Sequence, residues 1–562
     1  MRLNCFVAAF TAALIVFSVW TSALGKPPAV SSLYPAGAQQ GSTVEIAADP
    51  APDPWPASAW SGNSAIKLKP IKDKKGVYNA IIAKDAPLGP HLIRIHNTDG
   101  ASQPRMFFIG LAGETMEKEP NDSLEKAQYL KAIPVVINGR LDKAGDVDCY
   151  SIQAEEDDWI VAQCYAYSVD SPVDAFLHLI DENKTKVAFA PDTQNIDPLL
   201  VYQVKKGGTF TVTIAGLRFP YNSTTRLQGN AHSVYRLTIS TGAFARNTSP
   251  LGVQRAQKTP VHLVGWGFEK SGTTQTTVVN TETAAGTDWV GGIGLASPVP
   301  VIVGNLAGHR ETEPNNSADS VLTIAWPSAI HGHISEVNDE DRFGIEVRKG
   351  DKLRLRLRAS QFDSALDPVL RVEDASGKQL ARDDDSGERQ DAKLDWIAPA
   401  DGKYLLAVSD LIRSGSNAHF YRLEVDRITP SLNATFTPDS LVLEPGKSAV
   451  TTVTINFADG YKGSPAIVVR DLPEGVSAQI PATEKGGAVK VVFVAAESTK
   501  PASVPLSLLV VEPGTAVIHT AVSPVGMDKA GGERLINSVP HLWLTVKPKP
   551  THKLETKSEE EK

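Results

Sequence analysis

The chain has 562 residues, 42% hydrophobic and 21% charged, the balance of an ordinary water-soluble globular protein. This length exceeds what one core can organise and calls for several domains of roughly 100–150 residues. A net charge of −8 lacks the basic face a nucleic-acid partner requires, and 43 glycines with 38 prolines imply many turns.

The N-terminus reads as an export signal. Arg2 supplies the positive region, Cys5 to Trp20 the apolar core and Ala23-Leu-Gly25 a small-x-small cleavage site. Residues 1–25 are therefore expected to be removed, leaving a mature chain from Lys26. The apolar run is short for a membrane span, and no later stretch replaces it. The expectation is a secreted, periplasmic or cell-surface protein with no span after cleavage.

Two cysteines then remain, Cys149 and Cys164, flanking the polar turn Glu155-Glu-Asp-Asp158. Export permits a disulfide across a hairpin. Alternation argues against it: Tyr150 and Ile152 inward place Cys149 outward, whereas Ile160 and Ala162 place Cys164 inward.

Residues 27–112 open on Leu33-Tyr-Pro-Ala-Gly-Ala-Gln-Gln-Gly-Ser-Thr-Val-Glu-Ile46, a turn followed by an alternating strand. Ala86-Pro-Leu-Gly-Pro-His-Leu-Ile-Arg-Ile95, a turn at Asn97-Thr-Asp-Gly100 and a strand through Ile109 close the segment. The Pro-x-Gly-x-x-Gly-x-x-Val opening and the Leu-Gly-Pro-His strand resemble immunoglobulin-like domains of the IPT/TIG type. Asp49 to Trp60, rich in Pro and Trp, has no assignment.

Residues 114–243 follow. They begin near Glu117-Lys-Glu-Pro-Asn-Asp-Ser123 and continue with Asn138-Gly-Arg-Leu-Asp142, Gly145-Asp-Val-Asp-Cys-Tyr-Ser-Ile152 and Asp174-Ala-Phe-Leu177. Gly207-Gly-Thr-Phe-Thr-Val-Thr-Ile214 and Tyr235-Arg-Leu-Thr-Ile239 close the unit. Residues 311–427 repeat this order, with Glu311-Thr-Glu-Pro-Asn-Asn-Ser317, Gly332, Asp339-Glu-Asp-Arg-Phe343, Asp367-Pro-Val-Leu370, Gly402-Lys-Tyr-Leu-Leu-Ala-Val408 and Tyr421-Arg-Leu-Glu-Val425. Between them, residues 250–308 echo the opening and the end of the first small domain, so the chain reads as two tandem pairs of a small sandwich and a larger β domain. Residues 430–548 alternate around Pro-Gly turns and look like a further immunoglobulin-like sandwich. Residues 549–562 are mostly Lys, Glu and Thr with nothing to bury, and are expected to be disordered.

The two larger units resemble the bacterial pre-peptidase C-terminal (PPC) domain through Glu-Pro-Asn-Asp/Asn-Ser, Gly-x-Ile/Leu, Asp-x-Asp-x-Tyr/Phe and the closing Gly-x-Tyr/Phe strand. The resemblance implies jelly-roll-like β-sandwiches, hence an all-β multidomain chain, and extracellular use as an accessory domain. Several members of that family bind calcium.

The residues point to an ion site independently. Calcium takes six to eight oxygens, mostly carboxylate and carbonyl. In an extended segment Glu117, Glu119 and Asn121 share a side, Pro120 keeps Glu119 extended, and Asp122 adds an oxygen. Asp146 and Asp148 sit where the resemblance places the remaining ligands, with Asp142 a weaker candidate. Glu311, Glu313, Asn315, Asn316, Asp339 and Asp341 are the second set, with Ser335 a weaker candidate. Asn316 replaces an Asp there and implies weaker binding. The competing reading is a solvated acidic edge with an N-cap at Asn121 or Asp122.

Arg382-Asp-Asp-Asp-Ser-Gly-Glu388 lacks calcium-loop spacing and reads as a solvated loop. No His-Glu-x-x-His, Gly-x-Ser-x-Gly or phosphate-loop motif occurs, and His331-Gly-His333 has no third metal ligand in sequence. The expectation is an exported, non-catalytic binding or scaffold protein that takes calcium and attaches to an extracellular polymer or surface protein. Trp55, Trp60, Trp266 and Trp289 are candidate binding platforms, the competing reading being that they belong to the core, as most tryptophans do. The alternative is a hydrolase of unrecognised type, or an accessory subunit of a separately encoded secreted peptidase.

Overall fold

The computed structural model describes residues 26–549 except 194–195, 220–225, 272–275, 280–285, 293, 318–320, 483–485, 513, 515–516 and 526–533. Residues 1–25, read above as an export signal, and residues 550–562 of the charged tail lie outside the described residues. Among the described residues the chain is all-β, with a few 3-10 turns and the four-residue helix Phe268–Ser271.

Five pairs of facing sheets follow one another, each closing on its own apolar core. The first small sandwich stacks Ser32–Tyr34, Thr43–Asp49, Val77–Ile82 and Ile66–Pro70 on Gly37–Gln39, Arg105–Gly110, Gly89–Asn97 and Ser58–Ser61. Alternation drives it: Ile66 and Leu68 point inward while Lys67 and Lys69 stay wet. The second small sandwich keeps three strands per sheet: Phe244–Ser249, Thr259–Trp266, Thr276–Val279 and Gly252–Gln254, Val299–Gly304, Gly286–Val290.

The two larger sandwiches share one strand order. In the first, Gly113–Met116, Val135–Arg140, Val234–Ser240, Trp159–Tyr165 and Leu199–Gln203 face Gln128–Tyr129, Asp148–Ala154, Gly208–Arg218, Val173–Ile180 and Lys186–Ala190. In the second, Ala307–Arg310, Ser328–His333, Phe420–Arg427, Lys352–Arg358 and Lys393–Ile397 face Leu322–Ile324, Glu340–Val347, Gly402–Asp410, Pro368–Glu373 and Gln379–Asp383. The fifth sandwich, between Ser431 and Val546, folds back on the first. Arg94, 3% exposed, pairs with Asp439 at 2.7 Å, and Trp543 packs on His96 and Trp60.

Two expectations are corrected. Cys149 does not face water: the Glu117–Ser123 segment crosses over its strand, with the Cys149 N–H donating to Asn121 O at 3.0 Å, and the thiol is buried. Nor does the Glu155–Asp158 turn close a hairpin, because the strands on either side of it belong to opposite sheets; both cysteines are free thiols. Of the candidate platforms, Trp55, Trp60, Trp266 and Trp289 are half-buried, Trp55 packing against Tyr78, Trp60 against Trp543, Trp266 near Phe244 and Trp289 against Phe108. Large rings stabilise junctions between sandwiches better than they stand in water.

Candidate metal centres

Each Glu-x-Glu-Pro-Asn segment runs from the first strand of a larger sandwich across the end of the opposite sheet. The first segment is pinned at both ends, the Glu117 N–H donating to Asn138 O and the Cys149 N–H to Asn121 O, both at 3.0 Å. The bond before Pro120 is cis, as is that before Pro314.

In the first copy, carboxylate oxygens of Glu119, Asp146 and Asp148 lie within 4.8 Å of one another. Asp146 and Asp148 are 1% and 0% exposed. The Asn121 N–H donates to Glu119 Oε2 (3.0 Å), while its amide oxygen points at Asp148 Oδ1 (2.9 Å) and Glu119 Oε2 (3.3 Å). Such crowding of acceptors is relieved either by turning the amide over or by a cation among the oxygens. Asp146 separates the two remedies. Both its oxygens are buried without a hydrogen-bond partner, and the amide turn leaves them so.

Glu117 and Asp122 stand apart from this triad. Glu117 accepts from Tyr34 Oη (3.0 Å), a residue of the small sandwich, and from the Arg140 N–H (2.8 Å). Asp122 pairs with Lys143 (3.3 Å), and Asp142 with Arg140 (3.2 Å). The Lys143 amine also comes within 3.4 Å of Asp146.

The second copy gathers a different set. Glu311, Glu313 and Asp341 form the triad. Asn315, 2% exposed, has neither its amide oxygen nor its amide nitrogen bonded, and the Asp341 and Glu311 carboxyls face each other, with Asp341 Oδ1 and Glu311 Oε2 taking no donor from other groups. Asp339 is held elsewhere, by the Ser335 N–H (2.7 Å), Ser335 Oγ (3.0 Å) and Asn316 Nδ2 (3.1 Å). Asn316 therefore turns its nitrogen to Asp339, and Ser335 serves Asp339.

Burial dominates the electrostatics. It raises the Asp148 carboxyl to about 8 and Glu117 to about 7. Glu311 and Asp341 are both raised, again by burial, Glu311 further by the facing Asp341 charge. A divalent cation supplies the positive charge these groups lack, and oxygen-only donors suit a hard ion such as calcium.

Three pairs of equivalent residues outside the acidic motifs support these domains, the first two at the site itself. Tyr235 Oη donates to Asp148 Oδ2 at 2.6 Å, and Tyr421 Oη to Asp341 Oδ2 at 2.6 Å, from the repeated Tyr-Arg-Leu strand. A side chain at Gly139 or Gly332 would run into that tyrosine and into Glu117 or Glu311. Asp197 accepts the N–H groups of Ala166, Tyr167 and Ser168, and Asp391 those of Ala359 and Ser360, fixing equivalent turns.

Elsewhere, His331 Nε2 meets Arg422 (3.0 Å) and His333 Nε2 meets Ser416 O (2.7 Å). Asp383 accepts the Ser386 and Lys393 N–H groups, so the acidic loop after it is closed by its own bonds. A cavity of about 660 Å³ opens where all five sandwiches meet. Its carboxylates are engaged: Asp197 by backbone, Asp363 by Arg246 (2.7 Å).

No protein-family model matches the chain, and no curated protein sequence does. Solved structures give distant likenesses. The pre-peptidase C-terminal domain of collagenase from Bacillus anthracis is 16% identical over 21% of this chain and 100% of that one, with a TM-score of 0.16. The N-terminal four Ig domains of Dscam1 isoform 4.44 are 8% identical, with 93% and 100% covered and a TM-score of 0.19. The Bacteroides ovatus mixed-linkage glucan utilization locus SGBP-B, in complex with a mixed-linkage heptasaccharide, is 9% identical, with 72% and 73% covered and a TM-score of 0.14. The fold class rests on the sheets of this chain itself.

Proposed function

We propose that the chain is an exported, non-catalytic binding and scaffold protein of PPC-like and immunoglobulin-like sandwiches. Its two acidic triads take calcium, which stiffens the junction between each small sandwich and its larger partner. Stiff junctions hold the outer faces in fixed relation for attachment to an extracellular polymer or a surface protein, because freedom removed beforehand is not lost on binding. The observation that carries this reading is the buried oxygen set in each copy that is short of hydrogen-bond donors: Asp146 in the first, met by the exposed Lys143 amine at 3.4 Å, and Asn315 and Asp341 Oδ1 in the second. Glu119, Asp146, Asp148 and Asn121 would hold the first ion; Glu311, Glu313, Asp341 and Asn315 the second. No helix of the described residues is long and apolar enough to cross a membrane.

Calorimetric titration of the mature chain with calcium tests the ion, with two binding events expected and the absence of heat and of any melting shift counting against it. Pull-down from cell-wall and matrix fractions with and without calcium tests attachment.

A further inference from the structure

The two junctions differ where Tyr34 stands, and that difference leaves a cavity. In the first, Tyr34 fills the space between the small sandwich and its partner. Its hydroxyl donates to Glu117 Oε1 (3.0 Å), and the Arg140 guanidinium lies 4.4 Å over its ring. The second junction has the same frame. Gly252 pairs in parallel with Ile302 as Gly37 does with Phe108, so Ser249-Pro250 occupies the place of Tyr34-Pro35. Glu311 and Gly332 answer Glu117 and Gly139, and His333 stands where Arg140 does.

Ser249 carries no ring. Here the space belongs to a cavity of about 660 Å³ bounded by Ser249, Trp266, Glu311, His331, His333 and Phe420, among others. That lies within the roughly 300–1,000 Å³ of small-ligand sites. Among its lining residues are side chains short of a partner: His331 Nδ1 and Asn247 Nδ2 are buried without a hydrogen bond, and Glu311, whose Oε2 lies against Gly332 and faces Asp341, has no counterpart of Tyr34. Asn247 is 2% exposed and His331 8%. A buried polar group in this condition calls for an explanation, and a partner in the cavity supplies one.

We infer that this cavity binds a tyrosyl side chain presented by a partner polypeptide. The incoming hydroxyl donates to Glu311 Oε1, the counterpart of the Glu117 Oε1 that Tyr34 reaches, and the ring lies among Trp266 and Phe420. The cavity extends beyond one ring, and Asn247 Nδ2 is a donor for a carbonyl of the flanking backbone. The inference rests on the comparison of the two junctions and not on the calcium reading.

The test is calorimetric titration of the full chain with N-acetyl-Gly-Tyr-Gly-amide, the matching Phe peptide and p-cresol, each in EDTA and in calcium. The Tyr peptide is expected to bind in at least one buffer, and the Phe peptide about ten-fold more weakly, the cost of one hydrogen bond to a buried carboxylate. The p-cresol ring alone is expected to bind more weakly than the peptide. Ser249→Tyr, which supplies the ring internally, is expected to abolish binding with its melting temperature retained. Should that variant misfold, Asn247→Leu is expected to weaken the Tyr peptide several-fold. The inference is overturned if the Tyr peptide does not bind, if Tyr and Phe peptides bind equally, if p-cresol matches the peptide, or if the folded variant binds like the parent.

Discussion

Replacing Asp146 by asparagine distinguishes a cation site from an acidic edge, because the effect changes sign with calcium. Asp146 is 1% exposed and neither of its oxygens is hydrogen-bonded. Lys143 lies 3.4 Å away on a side chain 64% exposed, and water holds such a pair to under about 1 kcal/mol. A buried polar group left unbonded costs roughly 1–3 kcal/mol, more when charged. Asn keeps the shape and removes one negative charge beside Asp148 and Glu119. In EDTA the Asp146→Asn chain is therefore expected to be more stable than the parent by about 1–2 kcal/mol. Calcium at about 100 times its Kd stabilises the parent by about 2.7 kcal/mol, and a chain short of one ligand gains little. The order of stabilities then reverses. At roughly 4 °C per kcal/mol for a domain of this size, scanning calorimetry in EDTA and in calcium resolves both differences. A variant less stable than the parent in both buffers would refute the reasoning, since Asp146 would then be serving the protein's own groups.

The pH dependence has a definite sign. Burial lifts Glu117 to about 7 and Asp148 to about 8, above the unfolded carboxylate value of about 4. Without calcium the stability they contribute is full below about pH 4 and lost as pH rises through about 7 to 8. Calcium binds the ionised form, so its melting shift is expected to be larger at about pH 8.5 than at about pH 5; an equal or larger shift at the lower pH contradicts this. Tyr235→Phe and Tyr421→Phe each remove a 2.6 Å donor from a buried aspartate, at about 1.5–3 kcal/mol in urea unfolding. The first is expected to cost more, because Tyr150 Oη loses its 2.5 Å partner as well, whereas Phe343 has no hydroxyl to lose one; equal losses would count against the chain of bonds. Arg94→Ala leaves Asp439 buried and without its ion-pair partner, a change of about 3–5 kcal/mol. Small-angle scattering should show the fifth sandwich swinging away, and an unchanged radius of gyration would show that Trp543 holds it without the ion pair.

What the chain reveals before folding follows physical range. Strands such as Thr43–Asp49 announce themselves because apolar and polar side chains alternate along them. The match between residues 114–243 and 311–427 anticipates the common strand order, since repeated spacing of turns and apolar positions imposes repeated pairing. Asp146 and Asp148 are legible because ligands close in sequence keep their spacing. Glu117 is not, because its partner, Tyr34, comes from another sandwich 83 positions away. Asp339 has a ligand's spacing, yet Ser335 four residues earlier captures it. Tyr235 and Tyr421 lie in a visible motif, but a tyrosine between apolar neighbours looks like core, and its hydroxyl partner is set only by the pairing of sheets.

The two copies show why equal motifs need not give equal junctions. In the first, Glu117 is satisfied by Tyr34 and the Arg140 N–H, so the residue two before Glu119 is already tied to the small sandwich. An ion at Glu119, Asp146 and Asp148 acts on a segment that reaches across the junction. In the second, Ser249 cannot make that reach, Glu311 turns to Asp341, and Asp339 leaves the triad for Ser335. The Asn316 substitution matters less than its charge implies, because that side chain faces Asp339 and not the triad. The carboxylate lost when Asp339 turns away is made up by Glu311, so the second triad keeps three acidic groups. Its coupling to the neighbouring sandwich is what differs. The first junction is closed by the chain's own tyrosine, and the second keeps that position open.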